Sequence, residues 1–288
     1  MKALIAGAGG QLGQALLRTV PAGIETAALG RAELDVTQSD EIVQALHKHR
    51  PTVVINASAY TAVDRAESDS ERAYAVNAGA VGALAAACAT EGIRFVHVST
   101  DFVFDGASGR PYRPDDVTAP LGVYGASKLA GEQQVRAHEA LDWRIVRTAW
   151  VYASSGRNFV LTMLRLFKER PVVRVVADQV GAPTSAISLA QCVWRAAEVA
   201  DPPGILHFTD AGVASWYDFA VAIYEEATQL GLLTQPVDVQ PIRTQDYPTP
   251  ARRPSYSVLD VAATSAALGL KPVHWRANLR NVLRELRA

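Results

Sequence analysis

The chain has little cysteine, no excess of either charge, and no internal repeat or low-complexity segment. Cys88 and Cys192 are its only cysteines, too few for a disulfide framework or a thiolate metal cluster, so both are expected as buried thiols. Lys and Arg total 28 against 29 Asp and Glu, whereas a general affinity for nucleic acid or an anionic membrane would need a basic excess. The histidines show no ligand spacing, and His97 reads as a packed strand residue with no metal role. Met1 and Lys2 run directly into ALIAGAGG without the charged start, apolar stretch and cleavage site of a secretory leader, and no later run is expected to cross a bilayer. The expectation is a cytoplasmic chain with neither membrane nor nucleic acid as partner. What is present is 288 residues, 49% of them hydrophobic, enough for one large domain or two smaller ones.

KALIAGAGGQLGQALLRTV has a short apolar run, then glycines, then an apolar-periodic segment, the pattern of strand, tight turn and helix. Gly7, Gly10 and Gly13 stand three apart. At such positions glycine permits the turn, lets backbone N–H groups approach a pyrophosphate and lets the helix pack close to the strand. The strand IETAAL ends at Gly30-Arg31, where an NAD-selective protein usually places a carboxylate. Arg31 suits a 2′-phosphate instead, which favours NADPH with NADH as the alternative. Its competing role is a solvated surface arginine. Asp35 is a candidate for the adenine end of the cofactor, against a competing role as a helix cap near Thr37 and Ser39. TVVIN is a further buried strand, and Ala59, Tyr60 and Thr61 follow it as candidate cofactor neighbours. Asn77, in an Ala-rich helical segment, reads as an internally bonded amide.

RFVHV is nearly continuous apolar sequence, as expected of a central parallel strand, and ends at Ser99-Thr100-Asp101. A hydroxyl there could bond a substrate carbonyl; Thr100 is the choice and Ser99 the alternative. In LGVYGASKLAGEQ, Tyr124 and Lys128 are four apart and so share one helix face. A neighbouring ammonium favours phenolate and is expected to lower the Tyr124 pKa toward the range of a general acid.

Residues 1–150 are read as a dinucleotide-binding domain, with segments near 172–200 and 236–245 returning to it. Residues 151–171, 201–235 and 246–288 are read as a smaller lobe, closed by an amphipathic helix around WRANLRNVLRELRA. The proline-rich YPTPARRPSYSVLD carries Arg252 and Arg253, and planar guanidinium groups suit a pyrophosphate.

The glycine turn, NASAYTAVDRAES, HVSTDFVFDG, Tyr124-x-x-x-Lys128 with LAGE, RTAWVY, DQVGAPTS and YPTPARRPSYS together resemble the extended short-chain dehydrogenase/reductases, from residue 3 to about residue 260. The resemblance implies an α/β fold, a Rossmann-type doubly wound parallel sheet with a smaller α/β substrate-binding lobe. It also implies NADPH-dependent reduction of the C4 keto group of a dTDP-sugar, dTDP-4-dehydro-β-L-rhamnose. Tyr124 would then protonate the oxyanion, Lys128 hold the nicotinamide ribose and Thr100 orient the carbonyl. By the same resemblance Gly10, Gln11, Leu12, Asp35, Val36, Ala59, Tyr60 and Thr61 touch the cofactor, and Thr100, Asp101, Trp150 and Arg253 the sugar nucleotide. Trp150 offers a flat face for packing, with a core tryptophan as the competing reading. Two alternatives stand beside the reductase. A dehydratase or epimerase of the superfamily is disfavoured because Phe102, not a second carboxylate, follows Asp101. A non-catalytic regulatory subunit is disfavoured by the intact Thr100, Tyr124 and Lys128. Some relatives dimerise around magnesium held by a glutamate just after the glycine turn; Gln14 stands there, a poor ligand for a hard cation, so a monomer or weak homodimer without that metal is expected.

Overall fold

The computed structural model describes residues 1–202 and 204–287. Six apolar runs, β1 (Lys2–Ala6), β2 (Glu25–Leu29), β3 (Val53–Asn56), β4 (Arg94–Thr100), β5 (Trp143–Thr148) and β6 (Ile205–His207), form one sheet in the order β6-β5-β4-β3-β1-β2. Every pairing in it is parallel. Strands buried on both faces need helices on both sides. The longer helices are α1 (Gln11–Arg18), α2 (Ser39–His49), α3 (Ala80–Glu91), α4 (Val123–Arg136), α5 (Phe159–Glu169), α6 (Ala186–Glu198), α7 (Trp216–Gln229) and α8 (Trp275–Arg287). Leu16 of α1 and Leu189 and Trp194 of α6 pack with Ile55 and Val96 on one face. Ile42 of α2 and Leu84 of α3 pack with Val54 and Phe95 on the other. Strand order reverses between β1 and β3, and ligands of open α/β sheets bind outside the carboxyl ends of the strands at such a point.

A second core joins α5, α7 and α8 through Phe167, Phe219, Ile223 and Leu279. The structure redraws the domain limits expected from sequence. Val172–Val176 was expected in the main domain, as was the segment near 236–245, but Val172–Val176 pairs in parallel with Asp238–Ile242 and buries Val173 and Val175 in the second core. Ile205–His207, expected in the lobe, is instead the edge strand β6 beside β5. Of the segment 172–200, α6 is the part that covers the main sheet. Short β-strands with apolar residues on both faces carry no label for the sheet they join, which is why these assignments failed.

Ser70–Glu91, a run of 22 residues, is long and apolar enough by length and composition to cross a bilayer, which corrects the expectation that no stretch would be. The structure packs it against the sheet, with Val81, Leu84 and Cys88 buried. Cys192 is likewise buried, and burial pushes the Cys88 thiol up to about 12 and that of Cys192 higher still.

Candidate active site

The turn after β1 and the loop after β3 meet at the strand-order reversal. Gly7 has φ +88°, and a Cβ there would lie 2.7 Å from the Ser58 amide nitrogen, so only glycine permits both the turn and the contact. The Gly7 carbonyl accepts from Gly10 N–H at 3.1 Å, and α1 starts immediately after, with Gly10 as its cap residue. A cleft of ≈ 300 Å³ opens here, lined by Gly7, Gly10, Arg31, Asp35, Val36, Ala59 and Tyr60 among others. The predicted residues Gln11, Leu12, Gly13 and Thr61 do not line it. The Gln11 amide donates to Arg157 O and accepts from the Asn158 amide at 2.8 Å. Leu12 is buried in the core, and Gly13 packs against the Gly7 carbonyl. Any contact from Gln11 and Leu12 therefore falls to their backbone N–H groups at the helix start.

At the far end of the cleft Asp35 accepts from Thr37 N–H at 3.0 Å and the Thr37 hydroxyl at 2.7 Å, and these bonds hold its carboxyl below the usual range. The exposed Arg31 reaches Asp35 at 3.7 Å. Arg72 also lines the cleft; nothing in SERAY distinguishes it from a solvated helical arginine. Asn77 lies on a π-turn, Ala75–Gly79, preceding α3. Its side chain accepts from Tyr60 N–H at 2.9 Å and donates to Tyr60 O and the Ser127 hydroxyl at 3.1 and 3.0 Å. The internally bonded amide read from sequence thus joins the cleft loop to α4. The Gln14 amide donates to Ala8 O at 2.8 Å.

Helix α4 carries Tyr124 and Lys128. It can lie close to the turn after β4 because residue 125 is glycine, where a Cβ would strike the Phe102 carbonyl. The Tyr124 ring is half-buried and meets Phe102 edge-on at 5.5 Å. Thr100, at the end of β4, donates its hydroxyl to Asp101 Oδ1 at 2.9 Å. The Tyr124 phenol is pushed up to about 12 by burial, opposed by a hydrogen-bonding contact from Thr100 and reinforced by the Asp101 charge. This corrects the expected ammonium-lowered phenol. Lys128 Nζ donates to Val98 O at 2.7 Å and lies 3.3 Å from His97 Nε2, so its charge is directed at the strand and not at the phenol. Burial also draws Lys128 down to about 8, with Glu132 opposing.

Asp101 is 2% exposed, and burial raises its carboxyl to about 6. Its Oδ2, the Ser99 hydroxyl and the Thr148 hydroxyl have no hydrogen-bond partner among the described residues. The carboxyl edge of β4 and β5 therefore carries spare polar capacity, which a polar ligand could satisfy. Trp150 adopts φ +49° and stacks on Trp216 at 3.5 Å, with Gly181 against its ring. One face of the indole is therefore taken by the protein's own packing. Arg253 donates to Asp64 at 2.8 Å and is half-buried, whereas Arg252 is exposed.

Sequence reasoning assigned no functional role to the buried polar residues on and beneath α4. Glu132 of LAGE and Arg147 of RTAWVY form a bidentate pair at 2.9 and 2.7 Å, both nearly inaccessible. Asn56 and His97, adjacent across β3 and β4, bond to each other behind Lys128 at 3.2 Å. The clue was available for Glu132, since a carboxylate one turn beyond Lys128 shares its face.

The family model described as RmlD substrate binding domain matches residues 1–288. A dTDP-4-dehydrorhamnose reductase of Burkholderia thailandensis is 43% identical over 99% of both chains. A crystal structure of a dTDP-4-dehydrorhamnose reductase from Clostridium acetobutylicum superposes with TM-score 0.92 at 37% identity, covering all of both chains. One from Bacillus anthracis, in complex with NADP, gives TM-score 0.92 at 34% identity over 99% of both. A turn, cleft and tyrosine–lysine helix in this arrangement, matched along the whole length, place the chain in the RmlD substrate binding domain family.

Proposed function

We propose that this chain reduces the C4 keto group of dTDP-4-dehydro-β-L-rhamnose with NADPH to give dTDP-β-L-rhamnose, the final step of dTDP-L-rhamnose biosynthesis. The reading is carried by one observation: the Thr100 hydroxyl, the Tyr124 phenol and the Asp101 carboxylate converge at the carboxyl edge of β4. The names of the whole-length relatives and the NADP complex of one of them support it.

A dinucleotide fits the residues present. Gly7 removes the Cβ that would close the turn on Ser58, and the α1 N-terminus offers unpaired N–H groups toward a pyrophosphate. Gly7, Gly10, the Gln11 and Leu12 backbone, Val36, Ala59 and Tyr60 would hold the cofactor, with Asp35 and Arg31 at its adenosine end. Thr61, which does not line the cleft, would contribute only from its rim. When bound, NADPH supplies the hydride. Thr100 would orient the substrate carbonyl and Tyr124 would give its proton to the oxygen as charge develops there. A phenol raised to about 12 remains protonated at neutral pH, as a donor must. Lys128 would hold the nicotinamide ribose. Asp101, with one oxygen unpartnered, would accept from a sugar hydroxyl, while Trp150 would meet the sugar nucleotide with the part of its ring that Trp216 leaves uncovered. Arg253 would meet the pyrophosphate from the Asp64 side. Phe102 packs on Tyr124 where a dehydratase would use a second carboxylate.

Mixing the chain with NADPH and the 4-keto sugar nucleotide tests the reading. One NADPH oxidised per sugar reduced is expected. Conversion of the sugar without net cofactor use would assign a dehydratase or epimerase, and no conversion of either would leave a binding subunit.

A further inference from the structure

Two buried histidines flank α4, and their hydrogen bonds differ in kind. His207 has Nδ1 3.0 Å from Tyr112 O and Nε2 3.4 Å from Arg147 Nη1. A neutral ring satisfies both by donating from Nδ1 and accepting at Nε2. His97 faces two groups that are ordinarily donors: the Asn56 amide nitrogen at 3.2 Å from Nδ1 and Lys128 Nζ at 3.3 Å from Nε2. A neutral imidazole has one acceptor, so one partner must give way.

The arrangement of neighbours decides which. Asn56 is 1% exposed, and its Oδ1 accepts from Ser58 N–H at 3.0 Å and the Ser58 hydroxyl at 2.5 Å. A backbone N–H is always a donor, so the amide cannot turn over without losing that bond, and its nitrogen is held toward His97. Nδ1 is then the acceptor and the ring proton sits on Nε2, pointing at Lys128. A neutral lysine amine can accept that proton with its lone pair while still donating to Val98 O. An ammonium has only donors.

We infer that Ser58, Asn56 and His97 form a tautomer lock behind Lys128, presenting it with an N–H and so favouring its neutral amine. Asn56 and His97 are positioning residues acting through Lys128, and the lock begins at Ser58 in the loop that lines the cofactor cleft. Protonation of Lys128 is thereby coupled to the conformation of that loop. Glu132, paired with Arg147, is the other charged group that acts on Lys128, and Tyr124, one turn earlier on α4, carries the influence of Asp101. Burial presses His97 toward the neutral ring, as the lock requires.

The inference rests on the proposed role of Lys128, but its test measures no turnover, so either can fail alone. The chain has six histidines and five lysines, few enough for ring ¹⁵N and lysine ¹³Cε spectra of the full-length protein, with His97→Phe and Lys128→Met as assignment variants. In the wild type, His97 is expected protonated on Nε2 and bare at Nδ1; a proton on Nδ1, or on both nitrogens, overturns the lock. Asn56→Asp replaces the amide donor by an acceptor, so it should move the ring proton to Nδ1. The Lys128 midpoint should then rise by about one pH unit or more. In a His97→Phe background the same substitution should move it far less, because only the distant charge remains. An equal shift with and without His97, or no shift in either, refutes the proposal. Were Asn56→Asp to unfold the chain, the wild-type tautomer would decide.

Discussion

The two halves of helix α4 differ in a way that separates chemistry from support. Around Glu132 every charge is matched: the carboxylate takes two bonds from Arg147, which also donates to Pro114 O at 3.2 Å, lies over the Phe104 ring and has His207 beside it. One turn earlier, Lys128 confronts a histidine that prefers to donate, and Tyr124 lies by a carboxylate with one oxygen unpartnered. Burial is nearly as complete at Lys128, 2% exposed, as at Glu132, 0% exposed. The difference is hydrogen-bond completeness. A satisfied buried network holds one conformation; an unsatisfied one shifts pKa values and leaves capacity for a ligand.

Breaking the active half should give the largest effect. Tyr124→Phe is expected to lower kcat by about 10²- to 10⁴-fold with NADPH affinity nearly unchanged, because only the proton donor is lost. Stopped-flow turnover and cofactor titration check this; retained turnover would move the chemistry elsewhere. Glu132→Ala attacks the other half and strands a buried guanidinium. It should cost about 3–5 kcal/mol in a urea melt, and a loss below about 1 kcal/mol would erase the contrast between the halves.

The next effect concerns pH. Burial and the Arg147 charge depress His207 to about 3. A depressed group contributes stability that is present above its unfolded pKa of about 6.5 and is lost as pH falls from there toward the folded value. Stability should therefore fall below pH 6.5 by up to about 1.4 kcal/mol per pH unit from this group. The His207→Gln variant should show a correspondingly flatter acid limb in melts from pH 7 to 4. A limb of unchanged slope would mean that His207 charges without cost. The smallest effect lies away from the helix. Arg31→Ala should narrow the NADPH over NADH preference by about tenfold in kcat/KM. An unaltered ratio would remove Arg31 from 2′-phosphate recognition.

Much of the fold was legible because it is local in origin. An apolar run, a glycine turn and a 3.6-residue period place β1 and α1 without reference to anything else. Tyr124 and Lys128 share a face by helix geometry alone. The limits of the lobe were not legible, since Val172–Val176 and Ile205–His207 are both short apolar strands, and which sheet each joins is decided by the partner it finds. Leu12 shows a similar limit: the family resemblance implied a cofactor contact, while its helix face directed its side chain into the core.

By itself, then, the amino-acid order determined the elements, the glycine turn and the residue types gathered near one strand end, because propensity and periodicity act over a few neighbouring residues. Tertiary structure alone decided the state of the groups. The Tyr124 phenol is raised and not lowered because burial and the Asp101 charge outweigh the hydrogen-bonding contact from Thr100, while Lys128 is directed at Val98 O. Desolvation and hydrogen-bond direction are set by atoms brought together from β3, β4 and α4, and no separation along the chain encodes them.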